Sequence, residues 1–231
     1  QADGLLPVRD IEPALIRLEA ILREVETEFM ERYMPAIPVV WQTDMERIRG
    51  DLRAWLRHVA AHENEWTPIH FEYGFHDVPV FGGLLLQGRI DLIEQHVIGH
   101  LRVTDHKTGT PPERVPTQVG GGESLQPALY AVAVTEALQQ PVTEARLFYS
   151  TVRGNYVEFP IRLTEDTRES AEAVLHQIDN ALRNGAFPAA PRTDGCAYCE
   201  FVPICGPYEE ERITRKKQAP LRKIVELRGR P

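Results

Sequence analysis

The sequence predicts an α/β fold in one domain, with a helical N-terminal part (1–66), a strand-rich core (67–187) and a C-terminal segment (188–231) that carries cysteines and a basic tail. Three observations predict it. Of 231 residues, 42% are hydrophobic and 26% charged, the balance of a globular chain with a packed core. Apolar residues recur at helical spacing before Thr67-Pro68 and at strand spacing after it. Helical spacing then returns twice among the later strands, so helices and strands alternate. The length suits one domain, since domains run to roughly 100–200 residues.

Residues 11–33 read as an amphipathic helix through Leu15, Leu18, Leu22, Val25 and Phe29, ended by Pro35 and Pro38. A second helix is expected from Thr43, where Thr43 and Glu46 fit a capping box, along the stripe Met45, Ile48, Leu52, Trp55, Leu56 and Val59. Strands follow over residues 69–77, 84–94 and 98–106, with a hairpin turning near Gly99 that lays Asp91 beside Asp105. The stretch TGTPPERVPTQVGGGES is an irregular loop by its Pro and Gly content. A helix over residues 124–139 takes Pro127 in its first turn, where proline is tolerated. Strands over 143–151 and 155–162 precede a long helix that starts near Thr164, buries Val174, Leu175, Ile178 and Leu182, and stops at Asn184-Gly185. No internal repeat or low-complexity segment interrupts the pattern.

The net charge of −8 argues against gripping nucleic acid by bulk electrostatics. The tail from Arg212 is nonetheless basic, and reads either as a phosphate-contacting arm or as a solvated terminus. No apolar run approaches the ~20 residues of a membrane span and no signal pattern opens the chain, which predicts a cytoplasmic location. Lys107-Thr108-Gly109 matches a β-lactamase triplet, but the partner motifs S-x-x-K and S-D-N are missing. Gly120-Gly121-Gly122 lacks the G-K-[ST] of a nucleotide loop and reads as a flexible loop.

The chemistry concentrates in GRIDLI and VTDHKTG. Asp91 and Asp105 on neighbouring strands repel at close range, and a cation between them relieves that repulsion. Mg²⁺ suits such a pair because it takes oxygen ligands, keeps waters and accepts phosphate oxygens. Lys107 points to the same strand face as Asp105, where it can orient or deprotonate an attacking water or neutralise charge on a phosphoryl group. His106 points to the opposite face and offers a metal only its carbonyl. Gln126 and Tyr130, one helical turn apart, can reach a phosphate or the lysine. A bare D-x-K triplet is also a common surface strand end with an ordinary salt bridge. His58 and His62 read as a solvated helix face rather than a metal pair, and Glu72 as either an extra acid or a half-buried structural carboxylate. Cys196, Cys199 and Cys205 fall within CAYCEFVPIC, a spacing that reads as metal ligation, although Zn²⁺ and iron–sulfur clusters take four ligands as a rule. The bland alternative is three free thiols.

Taken in order, GRID with Asp91, DHKTG with Asp105 and Lys107, LQPALY with Gln126 and Tyr130, and the terminal cysteines resemble the RecB-type branch of the PD-(D/E)XK nucleases. The chain is most similar over residues 10–207 to the C-terminal nuclease domain of AddB-like helicase–nuclease subunits and to CRISPR-associated exonucleases. The resemblance implies a central mixed β-sheet flanked by helices and Mg²⁺- or Mn²⁺-dependent cleavage of DNA in partnership with a helicase subunit or domain. It implies Asp91 and Asp105 as metal ligands, Lys107 as the catalytic lysine, and Gln126 and Tyr130 in an accessory motif that positions DNA. It also implies a metal-binding histidine upstream, and an upstream cysteine that joins Cys196, Cys199 and Cys205 around a [4Fe-4S] cluster. Both are expected before Gln1, in a longer parent chain. The rival readings are a nuclease fold that binds DNA or scaffolds without cutting, and a metal-stapled interaction domain.

Overall fold

The computed structural model of the chain describes residues 5–62, 65–113 and 118–230, so the stretch 114–117 of the expected irregular loop lies outside the described residues. The chain divides into two compact units, one made of residues 1–115 and 129–163, the other of 116–128 and 164–231.

In the first unit, helix α1 (Ile11–Tyr33) begins where the Asp10 carboxylate accepts the Glu12 N–H, satisfying a donor that the helix itself leaves open. Helix α2 (Pro38–His62) starts five residues before the expected capping box. Pro38 opens this helix rather than closing the previous one, since a first-turn proline has no intrahelical N–H bond to lose. Thr43 lies inside it, its hydroxyl donating to the Val39 carbonyl at 2.8 Å. Of the expected stripes, Leu22, Met45 and Leu56 are buried, whereas Val25 and Ile48 face solvent.

Strands β1 (Trp66–Val80), β2 (Leu84–His96), β3 (Leu101–Lys107), β4 (Val142–Tyr149) and β5 (Glu158–Arg162) form one sheet in the order β1-β2-β3-β4-β5. Every neighbouring pair is antiparallel except β3–β4, which is parallel. A parallel pair needs a long crossover, and helix α3 (Leu125–Leu138) supplies it. Ala128, Ala131, Val132, Ala133 and Val134 are all buried, so this helix is apolar around most of its girth. The expected mixed sheet flanked by helices is therefore the observed one. Alternation along β3 puts Leu101, Val103, Asp105 and Lys107 on one face and Arg102, Thr104 and His106 on the other. Helix α2 packs on the second face, with the Trp55 ring edge-on to His106 and His58 against Phe148.

In the second unit, helix α4 (Glu165–Asn184) is capped by the Thr164 hydroxyl, which accepts the Thr167 N–H, and by Gly185 in the left-handed region. Thr167, Ser170, Ala171 and Val174 are its buried residues. The expected burial stops there, because Ile178 and Leu182 lie exposed on the last two turns. The glycine triplet is not a loose loop. Gly121, at φ 61°, is so close to helix α5 (Gln218–Arg228) that a Cβ there would meet the Leu227 carbonyl oxygen at 2.4 Å. Among the described residues no helix is long and apolar enough to cross a membrane.

Candidate active site

The β2–β3 ladder runs from Gln95–Leu101 to Leu92–Thr104, and the next step in the same register sets Asp91 opposite Asp105. At that step the Asp91 Oδ2 accepts the His106 N–H at 2.7 Å, in place of a backbone ladder bond. On the other edge of β3, the Lys107 carbonyl accepts the Ser150 N–H at 3.1 Å. The Asp-His-Lys segment is thus pinned from both sides. Because N–H and C=O groups alternate sides along a strand, the His106 carbonyl opens towards Asp91.

Asp91 is half-buried and Asp105 buried. The Asp105 Oδ2 accepts no hydrogen bond. Lys107 Nζ approaches it to 2.5 Å, an ion pair by distance without the alignment of a hydrogen bond. A carboxylate buried in that way is costly unless a cation pairs with it, and the Lys107 ammonium does so here. Side-chain alternation puts the His106 imidazole on the far face, between Trp55 at 5.9 Å and Phe148 at 5.5 Å. Burial, and after it the Arg146 guanidinium, push His106 below its ordinary pKa, against the pull of Asp91, Glu94 and Asp105. The ring packs between these aromatic side chains, away from the carboxylate pair.

Tyr130 lies edge-on to Phe75 at 6.2 Å, and its ring would be 3.6 Å from a Cβ built on Gly88, three residues before Asp91. The tyrosine therefore packs on the strand that presents the first carboxylate. Gln126, one turn earlier on α3, is exposed and belongs to the second unit.

Sequence reasoning missed a buried charge network on the far face of the sheet. Glu94 accepts two bonds from Arg102, at 2.9 and 3.0 Å, one from the Thr104 hydroxyl at 2.9 Å and one from Arg146 at 3.2 Å. Arg146 also donates to Thr104 at 2.8 Å and to Glu158 at 2.8 Å, and Glu158 meets His58 at 3.2 Å. The Arg102 guanidinium stacks 4.1 Å over the Trp66 ring. The available signal was Arg102, Arg146 and Glu158, charged residues at strand positions flanked on both sides by apolar neighbours. His58 is accordingly no solvated residue: it is partly buried, tilted against the His62 ring, stacked on Tyr156 and tied to β5. Glu72 is exposed on β1, 3.9 Å from Arg89, and is neither half-buried nor an additional buried acid.

A family model for the PD-(D/E)XK nuclease superfamily matches residues 3–206. The chain belongs to that superfamily. Two curated relatives, the Gene 69 proteins of Mycobacterium phages D29 and L5, are each 31% identical over 127 residues, or 53% of this chain. Those residues make up 43% and 40% of the phage proteins, so the chain spans less than half the length of these relatives.

PD-(D/E)XK nucleases use divalent metals, and the carboxylate pair fits one. Mg²⁺ is commonly held by one or two carboxylates, with waters and phosphate oxygens completing its shell. Asp91 and the buried Asp105, with the His106 carbonyl beside them, offer that donor set. Among the described residues no three His, Cys, Asp or Glu side chains group to hold an ion. An ion here depends on water and substrate for its remaining ligands.

Cys196, Cys199 and Cys205, expected to join an upstream cysteine around a [4Fe-4S] cluster, give that expectation no support among the described residues. The three are free thiols, Cys199 exposed and the others partly covered, and they form no ligand group. Two adjacent carboxylates tie the segment instead. Glu210 accepts the N–H groups of Asp194 at 3.0 Å and Cys196 at 2.8 Å. Glu209, which is buried, takes Arg212 and Lys216, and Lys216 reaches on to the Ala189 carbonyl at 3.0 Å. The Cys196 and Asp194 N–H bonds hold Glu210 below the usual carboxylate range. Lys216, and after it Arg212, do the same for Glu209 against the opposing effect of burial. Partial burial, and then the bond with Glu210, push the Cys196 thiol above its ordinary value.

Proposed function

We propose that this chain is a DNA nuclease dependent on Mg²⁺ or Mn²⁺, and that it serves as the exonuclease domain of a helicase–nuclease in DNA end processing and recombinational repair. The observation that carries the reading is the buried Asp105 carboxylate, paired with Lys107 and directly across the β2–β3 ladder from the anchored Asp91. The RecB-type order of motifs, from GRID to LQPALY, supports the helicase context.

In this reading Asp91, Asp105 and the His106 carbonyl hold the cation, which neutralises phosphate charge and acidifies water when bound. The His106 N–H fixes Asp91 Oδ2 and leaves its other oxygen for the ion. Lys107 holds its ammonium beside Asp105, where it orients the attacking water and offsets charge gathering on the phosphodiester. Tyr130, packed on Gly88, and Gln126 steer the DNA strand.

The test is cleavage of end-labelled linear duplex, single-stranded DNA and closed circular DNA with Mg²⁺, Mn²⁺ or Ca²⁺. Linear substrates are degraded with Mg²⁺ or Mn²⁺ and circles are spared. Asp91→Ala, Asp105→Ala and Lys107→Ala each lower the rate by about 10²–10⁴-fold, the range of an acid–base or charge-stabilising group. Cleavage that survives these changes or a chelator sinks the site assignment. Cleavage of circles at the linear rate sinks the exonuclease reading. A folded wild type that binds DNA without cutting it favours the inactive module.

A further inference from the structure

The α1–α2 pair ends in a surface that the nuclease reading does not use. Around the turn between the helices, Met30, Tyr33, Met34, Ile37, Val39 and Val40 are all exposed, Met34 to 82%. Large apolar residues scattered singly are ordinary, but a contiguous set on one tip marks an interaction site. Beside it runs an open groove of about 670 Å³ between the two helices, floored by Met30, Trp41 and Met45. The Trp41 ring is held in place by a stack on Phe29, 4.2 Å apart and nearly parallel. Methionines give such a floor the capacity to adapt to different side chains.

The charges of the groove are uneven. Glu26, Glu31 and Glu46 line it against the single guanidinium of Arg49, which Glu19 also shares. An acidic rim repels a phosphate backbone and attracts a cationic surface. A two-helix groove with an apolar floor is the shape that an amphipathic helix fills.

We propose that the α1–α2 groove docks a basic amphipathic helix of a partner protein, whose apolar stripe lies on Met30, Trp41 and Met45 and whose lysines or arginines face Glu26, Glu31 and Glu46. The exposed tip at Met34 and Ile37 extends the same contact beyond the groove. The site is separate from the carboxylate pair, so occupation does not require DNA.

The probe is a labelled 18-residue Leu/Lys peptide of helical period, titrated against the full chain by fluorescence anisotropy, with a Leu/Glu peptide of the same pattern as its control. The Leu/Lys peptide binds, and binding weakens as salt rises. Met30→Lys and Glu31→Lys each weaken it by about tenfold or more, the loss expected when an apolar or charge contact is replaced by repulsion. Glu169→Gln, which shifts net charge without touching the groove, leaves it unchanged, as does either groove variant the DNA cleavage rate. Circular dichroism and the urea midpoint verify folding, and should Met30→Lys unfold the chain, the exposed-tip variant Ile37→Lys replaces it. Equal binding of the Leu/Glu peptide, or unchanged binding in the groove variants, overturns the proposal. So does sedimentation showing that this face pairs two copies of the chain and that Met30→Lys separates them.

Discussion

Replacing Glu94 by alanine tests the buried network behind the site. Glu94 is 3% exposed and accepts four hydrogen bonds from Arg102, Thr104 and Arg146, the two arginines being 5% and 2% exposed. Removing the carboxylate leaves Arg102 without its two-pronged partner, and leaves Arg146 with Glu158 as its remaining carboxylate among the contacts described above. Breaking a buried ion pair by removing one member costs about 3–5 kcal/mol, because the other charge stays buried. In a domain of this size each kcal/mol moves the melting temperature by about 2–4 °C, so Glu94→Ala melts about 6–20 °C lower. Glu94→Gln keeps an acceptor for part of the network and loses about 1–3 kcal/mol. The assay is urea unfolding followed by circular dichroism and by the fluorescence of the three tryptophans, one of which, Trp66, lies under the Arg102 guanidinium. An Ala variant within about 1 kcal/mol of wild type would falsify the reasoning, since water must then be screening the arginines.

Three further outcomes follow from the geometry. Asp105→Asn abolishes cleavage in the proposed reading and costs about 0–1 kcal/mol of stability in metal-free protein, because the pair it breaks is with the partly exposed Lys107 ammonium at 2.5 Å; a loss above about 3 kcal/mol contradicts the reading of that pair as solvent-screened. Gly88→Val destabilises by about 1–3 kcal/mol through overpacking, since its Cβ meets the buried Phe75 ring at 3.0 Å and Tyr130 at 3.6 Å, and an unchanged urea midpoint refutes the contact. Glu209 and Glu210 have folded pKa values below the ordinary carboxylate range, so their contribution is complete above that range and is lost as pH falls through the lowered values. Hydrogen exchange at Asp194 and Cys196 therefore accelerates below about pH 4 relative to the intrinsic rate, and protection that persists to pH 2 argues against the carboxylate ties.

Local chemistry made much of the fold legible. The bounds of α1, the Thr164 and Gly185 caps of α4, and the turn at Gly99 follow from residues that touch their own neighbours in sequence. The carboxylate pair was legible for a related reason: a short hairpin fixes which residues face each other, and one register places Asp91 across from Asp105. Where partners lie far apart in sequence, the reading failed. Arg146 reaches Glu94 and Thr104 from 52 and 42 residues away, a pairing that needs the β3–β4 register and leaves no periodic trace. Pro38 was misread because proline closes one helix and opens another equally well. Ile178 and Leu182 obey helical period, but period says nothing about whether a second surface arrives to cover them. The glycine triplet looked loose because its partner, the last turn of α5, is about a hundred residues downstream.

The carboxylate ties around Cys196 have a practical consequence. Main-chain amides and basic side chains fasten the C-terminal segment to Glu209 and Glu210. These ties are hydrogen bonds and ion pairs between protein groups, so a chelator such as EDTA leaves them in place. Under the proposed function, one cation can thus be exchanged for another while that fastening stays intact, and a comparison between metals reads the chemistry rather than the folding of this segment.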